Sequence, residues 1–177
     1  RGADILGVID EYFNNSDGDG DMFYPSFAGQ QRLWKGVMAG SDEKPDVVKV
    51  HGTSTPSGDA IELLSVIDAL GEEGYHISAP KSQFGHMLGG AGAVEFITAL
   101  LMLKEQKVLP CLNSPNLNPE LETFQKNPDW KGPVKPLAAY RHLLPQESFS
   151  KPINSIVCLN YGFGGTNSAL KLSRYDK

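Results

Sequence analysis

The chain of 177 residues has room for one domain of ordinary size, and its 40% hydrophobic and 21% charged residues are typical of a soluble globular protein. The net charge of -5 argues against nucleic acid as a partner, and no run of about 18 apolar residues predicts a membrane span. Two cysteines are too few for a disulfide framework and fit a reducing, cytoplasmic compartment. Because the first residue is Arg1 rather than Met, we expect a piece of a longer product.

The first elements are predicted as a strand, a loop and a helix. Residues 5–9 (Ile-Leu-Gly-Val-Ile) have the composition of a short strand. Residues 14–25 are polar and rich in Gly and Asp, which predicts a loop. Pro25 and Ser26 then open a helix that runs to about Met38.

The acidic residues of that loop raise the question of a metal site. Asp17, Asp19 and Asp21 alternate as at the start of a calcium loop. However, Met22 stands where such a loop needs glycine and Ala28 where it needs a bidentate glutamate. A solvated loop without metal is therefore the favoured interpretation.

A second strand and helix follow. The β-branched run at residues 47–50 (Val-Val-Lys-Val) predicts a strand that delivers His51 at its C-terminal end. Asp59 and Glu62 lie at the start of a helix, where carboxylates suit the helix dipole, and Gly71 ends it. The apolar positions of this helix recur at helical spacing: Ile61, Leu64, Ile67 and Leu70.

The remaining elements complete an alternation of strands and helices. Residues 77–79 predict a short strand, and 92–104 a helix that is apolar nearly all round and hence buried. Residues 110–152, rich in proline, predict an extended segment on the surface. Residues 153–159 and 168–172 predict two strands joined by a glycine-rich turn. This order indicates an α/β domain with a largely parallel sheet, whose sites gather at the C-terminal strand ends.

Three motifs carry a family resemblance. They are residues 51–59 (His-Gly-Thr-Ser-Thr-Pro-Ser-Gly-Asp), 81–95 (Lys-Ser-Gln-Phe-Gly-His-Met-Leu-Gly-Gly-Ala-Gly-Ala-Val-Glu) and 162–167 (Gly-Phe-Gly-Gly-Thr-Asn). Together they resemble the C-terminal half of the β-ketoacyl-ACP synthases, in the elongating, two-histidine class of the thiolase-like superfamily. The chain-initiating synthases use histidine with asparagine, and the thiolases use histidine with a second cysteine.

The resemblance implies a fold and a division of the chain. It implies the C-terminal half of an α-β-α-β-α sandwich, with a mostly parallel five-stranded sheet and helices. Residues 1–177 would form the C-terminal β-ketoacyl synthase domain. Within it, residues 1–25 would be the last strand of the N-terminal half plus a loop, and 26–177 the C-terminal half.

The implied reaction is a decarboxylating Claisen condensation in fatty-acid or polyketide elongation. Malonyl thioester loses CO2, and the enolate attacks an acyl group held on an enzyme cysteine. His51 and His86 would be neutral donors to the malonyl thioester oxygen, each donor worth on the order of 3 kcal/mol. The Lys81 cation would disfavour imidazolium and keep them neutral. An isolated histidine is more often a structural core residue, and only the extended motifs reverse that preference.

Other residues take roles from the resemblance, each with an alternative. Thr53 and Thr55 would bind the pantetheine arm of the carrier protein, or are hydroxyls that form the turn before Pro56. Glu95 would support the site through a water molecule or through Lys81. A helix-dipole role for this carboxylate is nearly as plausible.

The glycine-rich turn lacks the pattern of a phosphate-binding loop and precedes a strand. In the resemblance, the Phe163 N–H is half of the oxyanion hole and its ring gates the acyl pocket. Gly164 and Gly165 support that turn. Tyr161 replaces the phenylalanine of many members and adds a hydroxyl near the acyl pocket.

The family's nucleophilic cysteine has no match in this chain. Cys158 lies in a predicted strand and Cys111 follows Pro110 in a loop, so both are interpreted as structural. The resemblance implies an N-terminal half that bears the cysteine, a homodimer in the complete enzyme, and no bound cofactor. The substrate is carried on the 4'-phosphopantetheine of acyl carrier protein. We expect the chain alone to be inactive and poorly soluble.

Two other functions stay open. One is a non-catalytic subunit like the chain-length factors, against which the retained His51, His86 and Lys81 argue. The other is an independent module that binds acyl carrier protein. A serine hydrolase is disfavoured because no Gly-x-Ser-x-Gly motif occurs.

Overall fold

The computed structural model describes residues 2–18, 21–114 and 118–175. The strands are β1 (Val8–Ser16), β2 (Val47–Lys49), β3 (His76–Ser78), β4 (Lys107–Val108), β5 (Phe149–Ser150), β6 (Ser155–Gly162) and β7 (Thr166–Ser173). The α-helices are α1 (Phe27–Val37), α2 (Pro56–Leu70), α3 (Lys81–Phe84), α4 (Ala91–Glu105) and α5 (Glu120–Phe124). Two 3-10 helices span Leu88–Gly90 and Leu137–Leu143. None of the helices in the described part of the chain is long and apolar enough to cross a membrane.

Five strands form one sheet in the order β1-β7-β6-β2-β3. β2 runs parallel to both β3 and β6, whereas β7 runs antiparallel to both β6 and β1. The α/β class and the five-stranded sheet are confirmed. The expectation of a mostly parallel sheet is confirmed, because β1, β6, β2 and β3 all run in one direction and only β7, the second strand of the β6–β7 hairpin, runs against them.

Two apolar clusters pack on the sheet. One joins α1 and α2 with side chains from α5 and the second 3-10 helix, among them Trp34, Leu64 and Tyr140. The other joins α4 with strand residues such as Ile156 and Leu172. The three layers are thus α1 with α2, the sheet, and α4. This packing places the C-terminal ends of β2 and β3 beside the β6–β7 turn.

Several predicted elements are confirmed. Helix α1 begins after Ser26, whose hydroxyl accepts the N–H of Gly29 as an N-cap, and it ends next to Met38. Helix α2 starts at Pro56, a residue suited to the first helical position, and ends at Gly71 with φ +75°. Its four predicted apolar positions, Ile61, Leu64, Ile67 and Leu70, are all buried.

The first strand differs from the prediction. Strand β1 begins at Val8 and runs on to Ser16, so the expected strand at 5–9 and loop at 14–25 are both displaced. Backbone pairing with β7 is the reason, because Asn15 lies opposite Asn167 and Ser16 opposite Thr166. The domain boundary at residue 25 stays a prediction, although β1 pairs with β7 over its whole length in one sheet.

Two further expectations are wrong. The segment 110–152 is not simply a surface segment: it contains a short helix, and Leu121, Tyr140 and Leu143 reach the core. The high proline content of this segment suggested extended chain and did not indicate that these three side chains are buried. Helix α4 is not buried all round, because the sheet covers only one side of it, and Ile97 and Leu101 are 56% and 48% exposed.

Candidate active site

His51 follows strand β2, and its backbone is fixed by a buried carboxylate. The two oxygens of Glu62, on helix α2, accept the N–H groups of His51 and Gly52 at 2.6 and 2.8 Å. Gly52 has φ +50° and Ser54 has φ +63°, so the chain turns sharply after the histidine. Glu62 therefore does more than complement the helix dipole, since it sets the position of the His51 loop.

Lys81, the first residue of α3, lies directly against His51. Its ammonium is 3.2 Å from Nδ1 of His51, donates to the His51 carbonyl at 2.5 Å, and pairs with Glu95. An ammonium is only a donor, so Nδ1 of His51 accepts and the ring proton lies on Nε2. The expectation that Lys81 lies near His51 is thus met in this structure, and Glu95 contacts the lysine directly.

The ring of His86 stands edge-on to that of His51, with centroids 5.4 Å apart and planes at 89°. The N–H of Leu88 lies 3.2 Å from Nδ1 of His86 and donates to it. This contact leaves the ring proton of neutral His86 on Nε2. Leu88 itself has φ +50°, a conformation that costs a residue other than glycine about 1–3 kcal/mol and that clusters at functional sites.

Burial and charge keep His51 neutral. Burial lowers the pKa of His51 from 6.5 to about 3, and the cations of Lys81 and Lys49 add to the shift. A side-chain hydrogen bond with Asn160 opposes it. Burial also lowers the pKa of Lys81, against the stabilising effect of Glu95. The two imidazoles, each with its proton on Nε2 when neutral, therefore bring one ring N–H donor apiece to this end of the sheet.

The glycine turn between β6 and β7 is held by Asp17. The N–H of Asp17 donates to the Gly165 carbonyl at 2.8 Å, and its carboxylate accepts from Asn167 at 2.6 Å and from the Ser26 N–H at 3.1 Å. Gly164 and Gly165 have φ of +78° and +73°, as the tight turn requires. Phe163 at its tip is 79% exposed and contacts the Phe23 ring edge-on, with centroids 5.6 Å apart.

The expectation of a solvated acidic loop is therefore wrong for Asp17, which is buried and hydrogen-bonded. Asp21 accepts the N–H groups of Phe23 and Tyr24 and shapes the segment that contacts the turn. Asp19 lies outside the described residues. Among the residues that the structure describes, no cluster of three or more His, Cys, Asp or Glu side chains could hold a metal ion.

A cleft of about 1000 Å³ joins these groups. Its walls include the predicted site residues His51, Thr53, Thr55, His86, Phe163 and Gly165. The hydroxyls of Thr53 and Thr55 lie 3.3 Å apart on one side of it. Tyr161 also lines the cleft, with its ring centroid 6.0 Å from that of His51. Lys81, Glu95 and Gly164, the other predicted site residues, are not among the residues that line this cleft.

Neither cysteine is suited to act as a nucleophile in this fold. Both Cys111 and Cys158 are buried. Burial raises the pKa of Cys111 to about 12 and that of Cys158 to about 11. Because the thiolate is the reactive form, both thiols are unreactive near neutral pH, in agreement with their structural interpretation.

Three further side chains support this region through contacts that the sequence motifs do not indicate. Lys49 is fully buried and pairs with Glu95, Glu62 holds the His51 loop, and Asp17 holds the glycine turn. The position of Lys49 within a run of valines indicates a buried partner, because a charge in a buried strand is costly without one. Asp17 gave no comparable signal, since its partner Asn167 lies 150 positions away. Neither did Glu62, because its partners are backbone N–H groups, which every residue except proline carries.

Comparisons with known proteins identify the family of this chain. Residues 6–115 match the family model described as the C-terminal domain of beta-ketoacyl synthase. The chain belongs to this family. The resemblance inferred from the three motifs is confirmed.

Individual relatives carry more specific names. The chain is 35% identical over 176 residues to the 3-oxoacyl-[acyl-carrier-protein] synthase 1 of Haemophilus influenzae, which covers 99% of this chain and 39% of the relative. With the protein of the same name from Escherichia coli K12 it is 34% identical over 174 residues, covering 98% of this chain and 38% of the relative. The chain thus spans about two fifths of the length of these curated relatives.

Solved structures share the fold. A β-ketoacyl synthase from Burkholderia phymatum superimposes with a TM-score of 0.81 at 28% identity, covering 99% of this chain and 39% of that one. The ishigamide ketosynthase/chain length factor gives a TM-score of 0.82 at 22% identity, covering 99% of this chain and 40% of that one. The thiolase-like ketosynthase fold is therefore confirmed.

Proposed function

We propose that this chain supplies the His-His-Lys part of the active site of an elongating β-ketoacyl-ACP synthase. The observation that carries the proposal is the pair of edge-on rings of His51 and His86, 5.4 Å apart, with Lys81 behind the first of them. The names of the curated relatives support the same class of enzyme. The nucleophilic cysteine comes from an N-terminal half, and the complete enzyme is a cytoplasmic homodimer.

The malonyl group enters the cleft as a thioester on acyl carrier protein. The chain binds no cofactor of its own, since the pantetheine arm of the carrier protein brings the substrate. Thr53 and Thr55 hydrogen-bond that arm from one wall of the cleft, where their hydroxyls are exposed. The thioester oxygen then accepts hydrogen bonds from Nε2 of His51 and of His86.

Decarboxylation follows from that contact. The bond between the carboxylate carbon and the α-carbon breaks, its electron pair passes into the enolate, and CO2 leaves. Two preorganised neutral donors stabilise the negative charge that develops on the thioester oxygen, where each is worth on the order of 3 kcal/mol. The low pKa of His51 suits this role, because the ring stays neutral throughout the physiological range.

Carbon–carbon bond formation completes the reaction. The enolate carbon attacks the acyl thioester carbonyl on the cysteine, and the tetrahedral oxyanion accepts the N–H of Phe163. Collapse of that intermediate releases the cysteine thiolate and leaves a 3-oxoacyl group on the carrier protein. The Asp17 and Gly165 contacts fix the turn that presents this N–H.

The experiment combines this chain with a cysteine-bearing half, on one polypeptide or as a partner subunit, and supplies acyl-ACP with malonyl-ACP. The proposal predicts 3-oxoacyl-ACP and one CO2 for each product formed, measured by mass spectrometry and 14C release. Binding of acyl carrier protein without any CO2 release would instead favour a binding module. Activity that persists in a His51→Ala, His86→Ala double variant would favour a chain-length-factor-like subunit.

A further inference from the structure

Lys49 is a buried cation in the middle of the sheet. It is 0% exposed and lies on β2, between β3 and β6. A lysine in such a place is costly, because several kcal/mol of hydration are lost unless partners replace them. Lys49 lies two residues before His51 in the sequence. Its partners therefore indicate what the charge does.

The partners connect Lys49 to the predicted site. Its ammonium donates to the Leu159 carbonyl at 2.5 Å and pairs with Oε2 of Glu95. The other oxygen of Glu95, Oε1, pairs with Lys81. Each carboxylate oxygen of Glu95 thus pairs with one lysine ammonium. The hydrogen bond to the Leu159 carbonyl connects the Lys49 ammonium to β6. This arrangement fixes both the position and the rotation of the Glu95 carboxylate.

We propose that Lys49 is a positioning residue for the condensation site: it fixes Glu95, and Glu95 in turn fixes Lys81 against His51. The inference rests on the function proposed above and deepens it. Lys49 contacts no substrate and acts through two other side chains. Without it, the carboxylate would be free to turn, and Lys81 would lose the partner that holds its ammonium 3.2 Å from Nδ1 of His51.

Lys49 also acts on the His51 ring through its positive charge. The charged and titratable groups that act on His51 are Lys81, Lys49 and His86, while the Glu62 carboxylate holds the His51 backbone. The cation of Lys49 disfavours protonation of His51. Removal of Lys49 should therefore make the histidine easier to protonate, an effect that a buried lysine remote from His51 would not have.

The first test needs no enzymatic activity. Lys49→Met keeps the length of the side chain and removes its charge. Lys171→Met is the matched control, because Lys171 is also buried in this sheet, on β7 opposite Val157. With histidine labelled at 13Cε1, NMR follows the titration of the His51 ring. We expect its pKa to rise in Lys49→Met and to stay at the wild-type value in Lys171→Met.

The second test separates the two half-reactions in the assembled synthase. Lys49→Met should slow malonyl-ACP decarboxylation on the order of 10-fold to 100-fold, the usual effect of removing a residue that orients a catalytic group. Acyl transfer to the cysteine should stay within about threefold of wild type. In Lys49→Ala, methylammonium chloride should restore decarboxylation, whereas sodium chloride at the same ionic strength should not.

Two results would overturn the inference. One is a His51 titration unchanged in Lys49→Met. The other is decarboxylation that falls equally in Lys49→Met and Lys171→Met and that methylammonium does not restore in Lys49→Ala. If the wild-type assembly releases no CO2, the proposed function fails, whereas the His51 titration still shows whether loss of Lys49 changes the surroundings of the His51 ring.

Discussion

The ammonium of Lys81 lies 3.2 Å from Nδ1 of His51 and also donates to the carbonyl of the same residue. Lys81 thus contacts both the ring and the backbone of His51. The contact fixes the ring orientation and the tautomer together, because Nδ1 can only accept from an ammonium. It also gives His51 a cationic neighbour, so the ring remains an uncharged donor under conditions where an exposed histidine would be protonated.

The low pKa of His51 predicts that the free energy of unfolding falls in acid. Between pH 6.5 and about 3 the unfolded chain binds a proton at His51 that the folded chain does not bind. Stability should therefore fall as pH drops through this window, approaching about 1.4 kcal/mol per pH unit from this group. Urea unfolding of wild type and His51→Asn from pH 7 to 4 measures the difference.

We expect the His51→Asn chain to lose less stability than wild type as the pH falls. His142→Asn, which removes an exposed histidine, shows what the loss of a surface histidine does under the same conditions. Parallel curves for wild type and His51→Asn would contradict a depressed pKa at His51.

Glu62 should have the opposite pH dependence. Burial raises its pKa from 4.5 to about 7, so the folded chain binds more protons here than the unfolded chain between these values. Its contribution to stability is complete below pH 4.5 and is lost as pH rises through 7. Glu62→Gln removes one acceptor from the N–H groups of His51 and Gly52 and should cost about 1–3 kcal/mol at pH 5.

The same variant should approach wild type at higher pH. At pH 8 wild type carries an ionised, buried Glu62, and the glutamine variant does not. The difference in unfolding free energy should therefore shrink from pH 5 to pH 8, as measured by urea denaturation. A difference that stays constant over this range would show that the Glu62 pKa is not raised.

Glu95→Gln should be among the most destabilising single substitutions in the chain. It leaves the buried ammonium groups of Lys49 and Lys81 without their shared carboxylate. Breaking a buried ion pair typically costs about 3–5 kcal/mol. Glu105→Gln, on the exposed end of the same helix, should change the unfolding free energy by no more than about 0.5 kcal/mol. Equal effects of the two would rule out a paired role for Glu95.

The glycines of the turn offer a matched pair of substitutions. Both have positive φ, so alanine strains either one by about 1 kcal/mol. A Cβ at Gly164 would meet open space, whereas one at Gly165 would lie 2.8 Å from Cβ of Asp17. We expect Gly165→Ala to lower the melting temperature and the condensation rate more than Gly164→Ala. A larger loss in Gly164→Ala would contradict the assigned contact between Asp17 and the turn.

The sequence predicted the parts of the site that lie in continuous motifs. His51, Lys81 and His86 occur within short segments whose spacing is informative, and the structure brings them together at the ends of β2 and β3. Helices α1 and α2 were predictable from a serine N-cap and from apolar spacing, since these signals are local.

The missed features depend on long-range contacts. Strand β1 pairs with β7 across at least 150 positions, and neither strand alone indicates its partner. Lys49 meets Glu95 across 46 positions, and Asp17 meets Asn167 across 150. Helix α4 is apolar nearly all round, yet its exposed face depends on what else packs nearby. The spacing of apolar residues along the sequence predicts none of these long-range contacts.

The central claim is that His51 and His86 stabilise the charge of decarboxylation and not that of acyl transfer. The measurement is the rate of 14CO2 release from malonyl-ACP by the assembled synthase carrying His86→Ala, beside its rate of acylation at the cysteine. Loss of one donor should lower decarboxylation by about 100-fold to 1000-fold while acylation stays within a few-fold of wild type. Equal loss of both steps would contradict the role assigned to His86.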